Sequence, residues 1–475
     1  MISHFIKNAI VVTANPGREV FFNGAVAIHG DRIVEVGPTS ELAPKYERAE
    51  KITEAEGLIV FPGFINTHNH LFQTLLRGLG DDMVLKDWLT TMTFPAAGYL
   101  LPEDTYLGAM VGCMEGLHSG ITTMVDYMHM HPKQGPEISD GIVQAYKELG
   151  LRGILARGGM DTGTQFGTRP AIMQDVETVT ADLRRLFEAY HNSENGRIKI
   201  WASPSAVWSN TKEMMSAMWR VVGDYQQSGF TVHISETPFA REASVAIHGQ
   251  SDIDVLAELG IIGPNVLMVH CCYLTPEDIA FSKKHDLKIS HNVASNMYLS
   301  SGVAPIPDML NAGLTIGLGV DGAASNNAQD MLELMKLTAL MHKVHTKDPL
   351  AMSAEKVFEM ATIDGARSIG LEKEIGSLEA GKKADLIFFD PLASPKAVPM
   401  HNPVSTLVYS SSLQNIVGAM VDGKVLLENG VITTVKDERE VLRKVQTCAE
   451  NLAERAGITN RREGHKWNSL YPPVS

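Results

Sequence analysis

The chain has 475 residues, 44% of them hydrophobic and 20% charged, a globular balance that excludes a disordered polymer and supplies a sizeable core. With 41 Lys and Arg against 55 Asp and Glu, the net charge is −14, which argues against a nucleic-acid binder, since that role needs a basic face. Four cysteines are too few for a disulfide framework and fit a reducing, cytoplasmic setting, while no signal-peptide pattern and no apolar run near the about 18 residues of a membrane span is present.

The first 60 residues read as short strands. Ala25-Val-Ala-Ile-His29 and Arg32-Ile-Val-Glu-Val36 flank Gly30-Asp31, a hairpin turn signal. The stretch 384–434 reads the same way, with Asp385-Leu-Ile-Phe-Phe-Asp390 as one strand and a second hairpin around Asp422-Gly423. Both ends together predict one small β-sandwich domain, in two parts, 1–60 and 384–434. Between them, 61–383 alternates apolar runs with amphipathic stretches such as Pro102 to Ser119, Val176 to Tyr190 and Asp252 to Leu259. Strands are expected to end at His68, Asp126, Gly158, Ser203, Glu236, His270, His291 and Asp321. Eight strands alternating with helices predict a (β/α)₈ TIM-type barrel, an α/β fold. A doubly wound sheet shows the same alternation, but no Gly-x-Gly-x-x-Gly turn follows the first strand. From 435 to 475 the chain reads as a C-terminal helix, about Glu438 to Ala456, and a tail; the helix packs on the chain or on another subunit.

The chemistry gathers at the expected strand ends. Phe61-Pro-Gly-Phe-Ile-Asn-Thr-His68-Asn69-His70 closes an apolar strand with His-x-His. Residues i and i+2 share a face, so the two imidazoles stand together at the end where barrel enzymes keep their active sites. Thr231-Val-His233-Ile-Ser-Glu236 closes the fifth strand and Leu314-Thr-Ile-Gly-Leu-Gly-Val-Asp321 closes the eighth. Three histidines and one carboxylate suit one borderline divalent ion. Glu236 and His270 remain for proton transfer.

The chain resembles the amidohydrolase superfamily over essentially its whole length. It looks most like the subgroup of methylthioadenosine/S-adenosylhomocysteine deaminases and triazine hydrolases of the atrazine chlorohydrolase and melamine deaminase kind. The segments that carry the resemblance include Pro62-Gly-Phe-Ile-Asn-Thr-His-Asn-His70, Ser119-Gly-Ile-Thr-Thr123, His233-Ile-Ser-Glu236, His270-Cys271, Asp321-Gly-Ala-Ala-Ser325 and Gly376-Ser-Leu-Glu-Ala-Gly-Lys-Lys-Ala-Asp-Leu386. The resemblance implies that His68, His70, His233 and Asp321 hold one Zn²⁺ or Fe²⁺. Relatives with two metals use a carboxylated Lys on the fourth strand; here Lys199 sits near that strand's start, which favours one ion. Such an ion makes water a nucleophile at neutral pH. The resemblance then assigns Asp321 to accept its proton, Glu236 to protonate a ring nitrogen and the leaving group, and His270 to orient the water. It also implies a homo-oligomer.

The implied reaction is hydrolytic deamination of an amino-substituted N-heteroaromatic ring of triazine, purine or pterin type. The alternatives are dechlorination of a chlorotriazine-like ring, or amide or urea hydrolysis. Candidate substrate-binding residues are Gln73, Trp88, Arg157 and Ser325. Trp88 either stacks on a flat ring or packs its own loop. Arg157 and Arg169 either meet an anionic or carbonyl group or pair elsewhere. The adenosine-type deaminases carry Glu where this chain has Ala97 and His where it has Ser205, which argues against a nucleoside. His129 and His131 are expected in a loop, facing substrate or solvent. His291 either lines the pocket or closes a hydrogen bond, His342 and His345 read as helix residues, and Cys271 and Cys272 as buried packing.

Overall fold

The computed structural model of the chain describes residues 2–133 and 137–458. Eight parallel strands close into a barrel: Phe64–Asn69, Ile121–Met128, Arg152–Arg157, Ile198–Ala202, Phe230–Ile234, Val266–His270, Lys288–His291 and Ile316–Leu318. These are the eight expected strands, with ends within a few residues of those read from the sequence. Helices alternate with them, including Pro102–His118, Val176–Tyr190 and Asp252–Leu259. Local caps set their starts: the Asp175 carboxylate accepts from the Thr178 N–H, and Ser251 from the Asp254 N–H. No described helix is long and apolar enough to cross a membrane.

The chain ends meet, as expected, in one nine-stranded sheet: eight strands form a continuous hydrogen-bonded path, and Lys51–Glu54 pairs beside it with His4–Val12. Strand Ile59–Pro62 is the splice. On one side it runs parallel to His4–Val12, with Ile10 opposite Ile59; on the other it runs antiparallel to Leu386–Phe389, with Leu386 opposite Pro62. It straddles the boundary expected after residue 60 and leads through Gly63 into the first barrel strand. A Cβ at Gly63 would lie 2.1 Å from the Thr122 hydroxyl, so only glycine lets the chain cross there. Ile6, Val26, Ile28, Val60, Leu386 and Met420 pack on one face of the sheet, while Phe5, Ala25 and Ala27 pack with Leu42 of helix Thr39–Tyr46.

The two predicted hairpin turns abut. Gly30 and Gly423 both have positive φ, and a Cβ on Gly423 would meet the Gly30 carbonyl at 2.1 Å. Below them lies a buried ion cluster that joins sheet to barrel. Arg152, at the start of the third barrel strand, donates from Nε to Asp385 Oδ2 at 2.9 Å and from Nη2 to Asp422 Oδ1 at 2.5 Å. Burial alone would lower the Arg152 pKa, but Asp385 and Asp422 together hold it above its ordinary value.

The terminal helix Glu438–Ala456 packs on this chain's own helix Pro102–His118. Arg455 Nη2 donates to Asp104 Oδ2 at 2.5 Å, and Glu438 lies 3.2 Å from His118 Nε2. The tail expected beyond it lies, from residue 459, outside the described residues. Removing one side of a buried ion pair leaves charge uncompensated, at a cost of about 3–5 kcal/mol. Arg152→Met should therefore lower stability by about that amount while leaving metal content per folded molecule unchanged, as read by urea unfolding and metal analysis.

Candidate active site

Five groups converge at the C-terminal mouth of the barrel. The ligand atoms of His68, His70 and His233 lie within 4.8 Å of one another, as do those of His68, His270 and Asp321. The local backbone aims them. His70 Nδ1 donates to the Tyr127 carbonyl at 2.7 Å and His233 Nδ1 to the Ser205 carbonyl at 2.5 Å. A carbonyl only accepts, so both rings carry hydrogen on Nδ1 and keep the Nε2 lone pair for the site. His68 and His70 each place Nε2 3.5 Å from Asp321 Oδ1. His270 Nδ1 donates to Asn296 Oδ1 at 2.9 Å, and its Nε2 stands 3.8 Å from both Glu236 and Asp321.

Electrostatics follow from burial. Desolvation pushes His68, His70 and His233 below the usual imidazole range, toward the neutral form that ligates metals. Burial would raise the Asp321 carboxyl, but His68, His70 and His270 around it hold it well below its ordinary value. Burial raises Glu236, whose Oε1 accepts from the Ser301 hydroxyl at 3.2 Å. Neither nitrogen of fully buried His68 has a hydrogen-bond partner. Such orphaned atoms beside two further imidazoles and a carboxylate fit a borderline divalent ion, with nitrogen and oxygen donors and backbone carbonyls behind two of the rings.

The backbone is bent to reach this arrangement. Ser235, His270, Cys271 and Asp321 all have positive φ, between 45° and 69°, a costly conformation outside glycine that concentrates at functional sites. The Asp321 N–H donates to the His68 carbonyl at 3.0 Å, which ties the eighth strand's end to the first.

Above the five groups lies a narrow cavity. Its polar floor includes Gln73, His129, Ser205, Asp252 and Ser325; its apolar wall includes Leu85, Trp88, Phe94, Met130 and Trp208. Trp88 both lines the cavity and packs its loop, since its Nε1 donates to the Ala324 carbonyl at 2.9 Å. Helix Leu85–Trp88 continues through a π turn, Leu89–Thr93, into Phe94–Ala97. At about 100° per residue an uninterrupted α-helix would set Phe94 half a turn away from Leu85. The π turn brings both to the cavity.

The expected substrate residues divide. Gln73, Trp88 and Ser325 line the cavity, and Gln73 packs so closely over Gly322 that a Cβ there would lie 1.9 Å from Oε1. Arg157 does not line it, which corrects the sequence expectation. Its fully buried guanidinium is spent on Asp182 at 2.9 Å, on Gln174 at 2.8 Å and on the Gly158 carbonyl. Arg169 is exposed and reaches the Thr90 carbonyl. Ala97 is buried and Ser205 lends its carbonyl to His233, so neither place offers a sugar contact from a charged side chain.

His129 and His131 are both buried, so neither faces solvent; His131 bonds Ser139 at 2.8 Å, while His129 lines the cavity. His291 and His342 form a buried pair at 3.0 Å. Burial raises the Cys271 and Cys272 thiols, which makes them poor nucleophiles. Trp208, Phe94 and Asp252 were not foreseen. Aromatic side chains in loops and helices beyond strand ends were the available signal, and Asp252 acts by accepting from the Ser235 N–H at 2.6 Å.

Comparison with known proteins agrees with this geometry. The Amidohydrolase family profile matches residues 59–426, and a short stretch, 24–46, matches a bacterial imidazolonepropionase-like composite domain. The chain is 35% identical over 460 residues to a 5'-deoxyadenosine deaminase of Methanosarcina acetivorans, covering 96% of this chain and 100% of that one. It is 36% identical over 452 residues to a 5-methylthioadenosine/S-adenosylhomocysteine deaminase of Desulforudis audaxviator, covering 94% and 99%. Among solved structures, an adenosine deaminase from Xanthomonas campestris with bound zinc superposes with a TM-score of 0.87 at 26% identity, covering 95% and 99%. An atrazine chlorohydrolase from Arthrobacter aurescens complexed with zinc superposes with a TM-score of 0.88 at 26% identity, covering 94% and 100%. The barrel, the splice that carries it and the match across most of the chain have one reading: this chain belongs to the amidohydrolase family, hydrolases that act on C–N bonds.

Proposed function

We propose that the chain hydrolytically removes ammonia or an amine from an amino-substituted N-heteroaromatic ring, using one Zn²⁺ held by His68, His70, His233 and Asp321. The observation that carries this reading is the convergence of neutral imidazoles, an ionised Asp321 and a raised Glu236 beneath an aromatic-walled cavity. The zinc in the two related structures supports that metal over iron. A divalent ion there supplies Lewis acidity that makes water nucleophilic at neutral pH. Asp321, held ionised, accepts the proton that the attacking water gives up. Glu236, whose pKa burial raises, donates its proton to the ring nitrogen next to the attacked carbon, then takes the remaining proton of the newly bonded hydroxyl as the C=O forms and passes it to the departing amine. His270, set by Asn296, orients the water and stabilises charge developing beside it. Trp88, Phe94 and Trp208 hold a flat ring by stacking and edge contacts.

The relatives' names support an adenine-type ring. Among the described residues no Lys or Arg lines the cavity, which supports recognition centred on the ring and an uncharged, apolar substituent. The four cysteines, all free thiols, support a cytoplasmic setting, and the homo-oligomer implied by the family resemblance belongs to the same reading.

Ammonia release by the zinc-loaded protein should appear across a panel of adenine nucleosides, guanine, pterins, cytosines and aminotriazines, in one class above the others. The atrazine chlorohydrolase likeness keeps dechlorination as the rival, and chloride from chlorotriazines without ammonia from any ring would establish it. Glu236→Gln should lower kcat by about 10²-fold or more while zinc content stays at one per chain; full turnover in that variant would remove Glu236 from the mechanism. His68→Ala should abolish stoichiometric zinc, as read by metal analysis after gel filtration.

A further inference from the structure

His129 lines the same cavity and has no task in the reaction above. It is 3% exposed, and its Nδ1 lies 3.2 Å from the Tyr127 carbonyl, the oxygen that also accepts from His70 Nδ1. One carbonyl, with two lone pairs, thus orients both rings. Because that oxygen only accepts, His129 also carries its hydrogen on Nδ1. Nε2 is then the ring's acceptor, and it has no partner among the described residues. The ring centroid is 4.8 Å from that of His70 and 5.6 Å from that of His233, within the span of one aromatic ring. Yet His129 belongs to neither group of candidate metal ligands. The nearby polar complement has the same sense: Gln73 Oε1 is buried without a partner, and the cavity holds no cationic side chain.

We propose that His129 is a specificity residue whose Nε2 accepts a hydrogen bond from a substrate N–H other than the departing amine, so that the cavity selects heteroaromatic rings bearing a second donor. The proposal deepens the deaminase reading and depends on it. The shared carbonyl makes the selection geometric, since the acceptor is held at a fixed distance from His70 and hence from the reacting carbon. A ring with carbon–hydrogen at that position leaves the acceptor buried and unpaired, and the missing bond costs affinity.

The test compares kcat/KM of the zinc-loaded wild type, His129→Phe and His129→Asn on two substrate pairs. The pairs are adenosine against 2-aminoadenosine, and 2-amino-1,3,5-triazine against melamine. The wild type should prefer the member with the extra amino group. His129→Phe, which keeps a flat ring and removes the acceptor, should cut that preference about tenfold, the order of one such hydrogen bond, chiefly through KM. His129→Asn, which keeps an acceptor, should restore part of it, and zinc content should stay unchanged in both. An unchanged preference in His129→Phe overturns the proposal, as does loss of zinc, which would make His129 a ligand. Ammonia release with an unaffected preference leaves the deaminase standing without this role for His129. Absence of ammonia from every ring, with zinc bound, overturns both.

Discussion

Taking several imidazoles and two carboxylates out of water at one point is the constraint on which the rest of this structure depends. Desolvation favours neutral rings, and a neutral ring has one donor and one acceptor to satisfy. The fold satisfies the donors with backbone carbonyls, Tyr127 for His70 and Ser205 for His233, and turns the acceptors toward a common centre. Among the described residues neither nitrogen of His68 finds a hydrogen-bond partner, and Nε2 has only Asp321 Oδ1 nearby at 3.5 Å. A lone pair cluster that is buried, convergent and adjacent to an ionised Asp321 is costly alone and favourable around a cation. The positive φ values at Ser235, His270, Cys271 and Asp321 are the backbone's share of that cost.

The opposite end of the barrel solves a different problem. There Arg152 is clasped by Asp385 and Asp422, residues from the returning chain end, so the sheet is tied to the barrel by charge as well as by the Ile59–Pro62 splice. This explains physically why the segment Lys-Lys-Ala-Asp385-Leu bears on the fold although it lies far from the chemistry. It also separates two demands. Charges at the closed end are paired with one another and serve stability, whereas at the open end the nitrogens of His68 are left without hydrogen-bond partners.

How much of this was legible in the sequence follows from which periodicities it obeys. His68 and His70 were readable because a strand puts alternate residues on one face, and the hairpin turns because Gly30-Asp31 and Asp422-Gly423 need positive φ. Arg157 was misread because position at a strand end does not say whether a side chain turns to the mouth or to the surrounding helices. Here Asp182 on helix Val176–Tyr190 captures it. Phe94 was hidden by its π turn, since a helical wheel drawn at the α period sets it half a turn from Leu85. Asp252 and Trp208 come from elements remote in sequence from any ligand, and only tertiary packing brings them to the cavity.

The two kinds of residue also inform different questions. The proposed metal ligands and proton carriers sit at or just beyond strand ends, where the barrel's hydrogen-bonded register positions them. That register is a property of the whole fold, so similarity to deaminases over 94–96% of the chain bears directly on the reaction. The cavity walls, Leu85, Trp88, Phe94, His129 and Trp208, come from loops and short helices that the barrel does not constrain. Similarity of fold therefore says little about them, and they are read by their own chemistry. Here that chemistry is an aromatic wall of Trp88, Phe94 and Trp208 beside polar groups of Gln73, His129 and Ser325. Fold and reaction class are thus common to the relatives across nearly the whole chain, while the choice of ring and substituent rests with the loops.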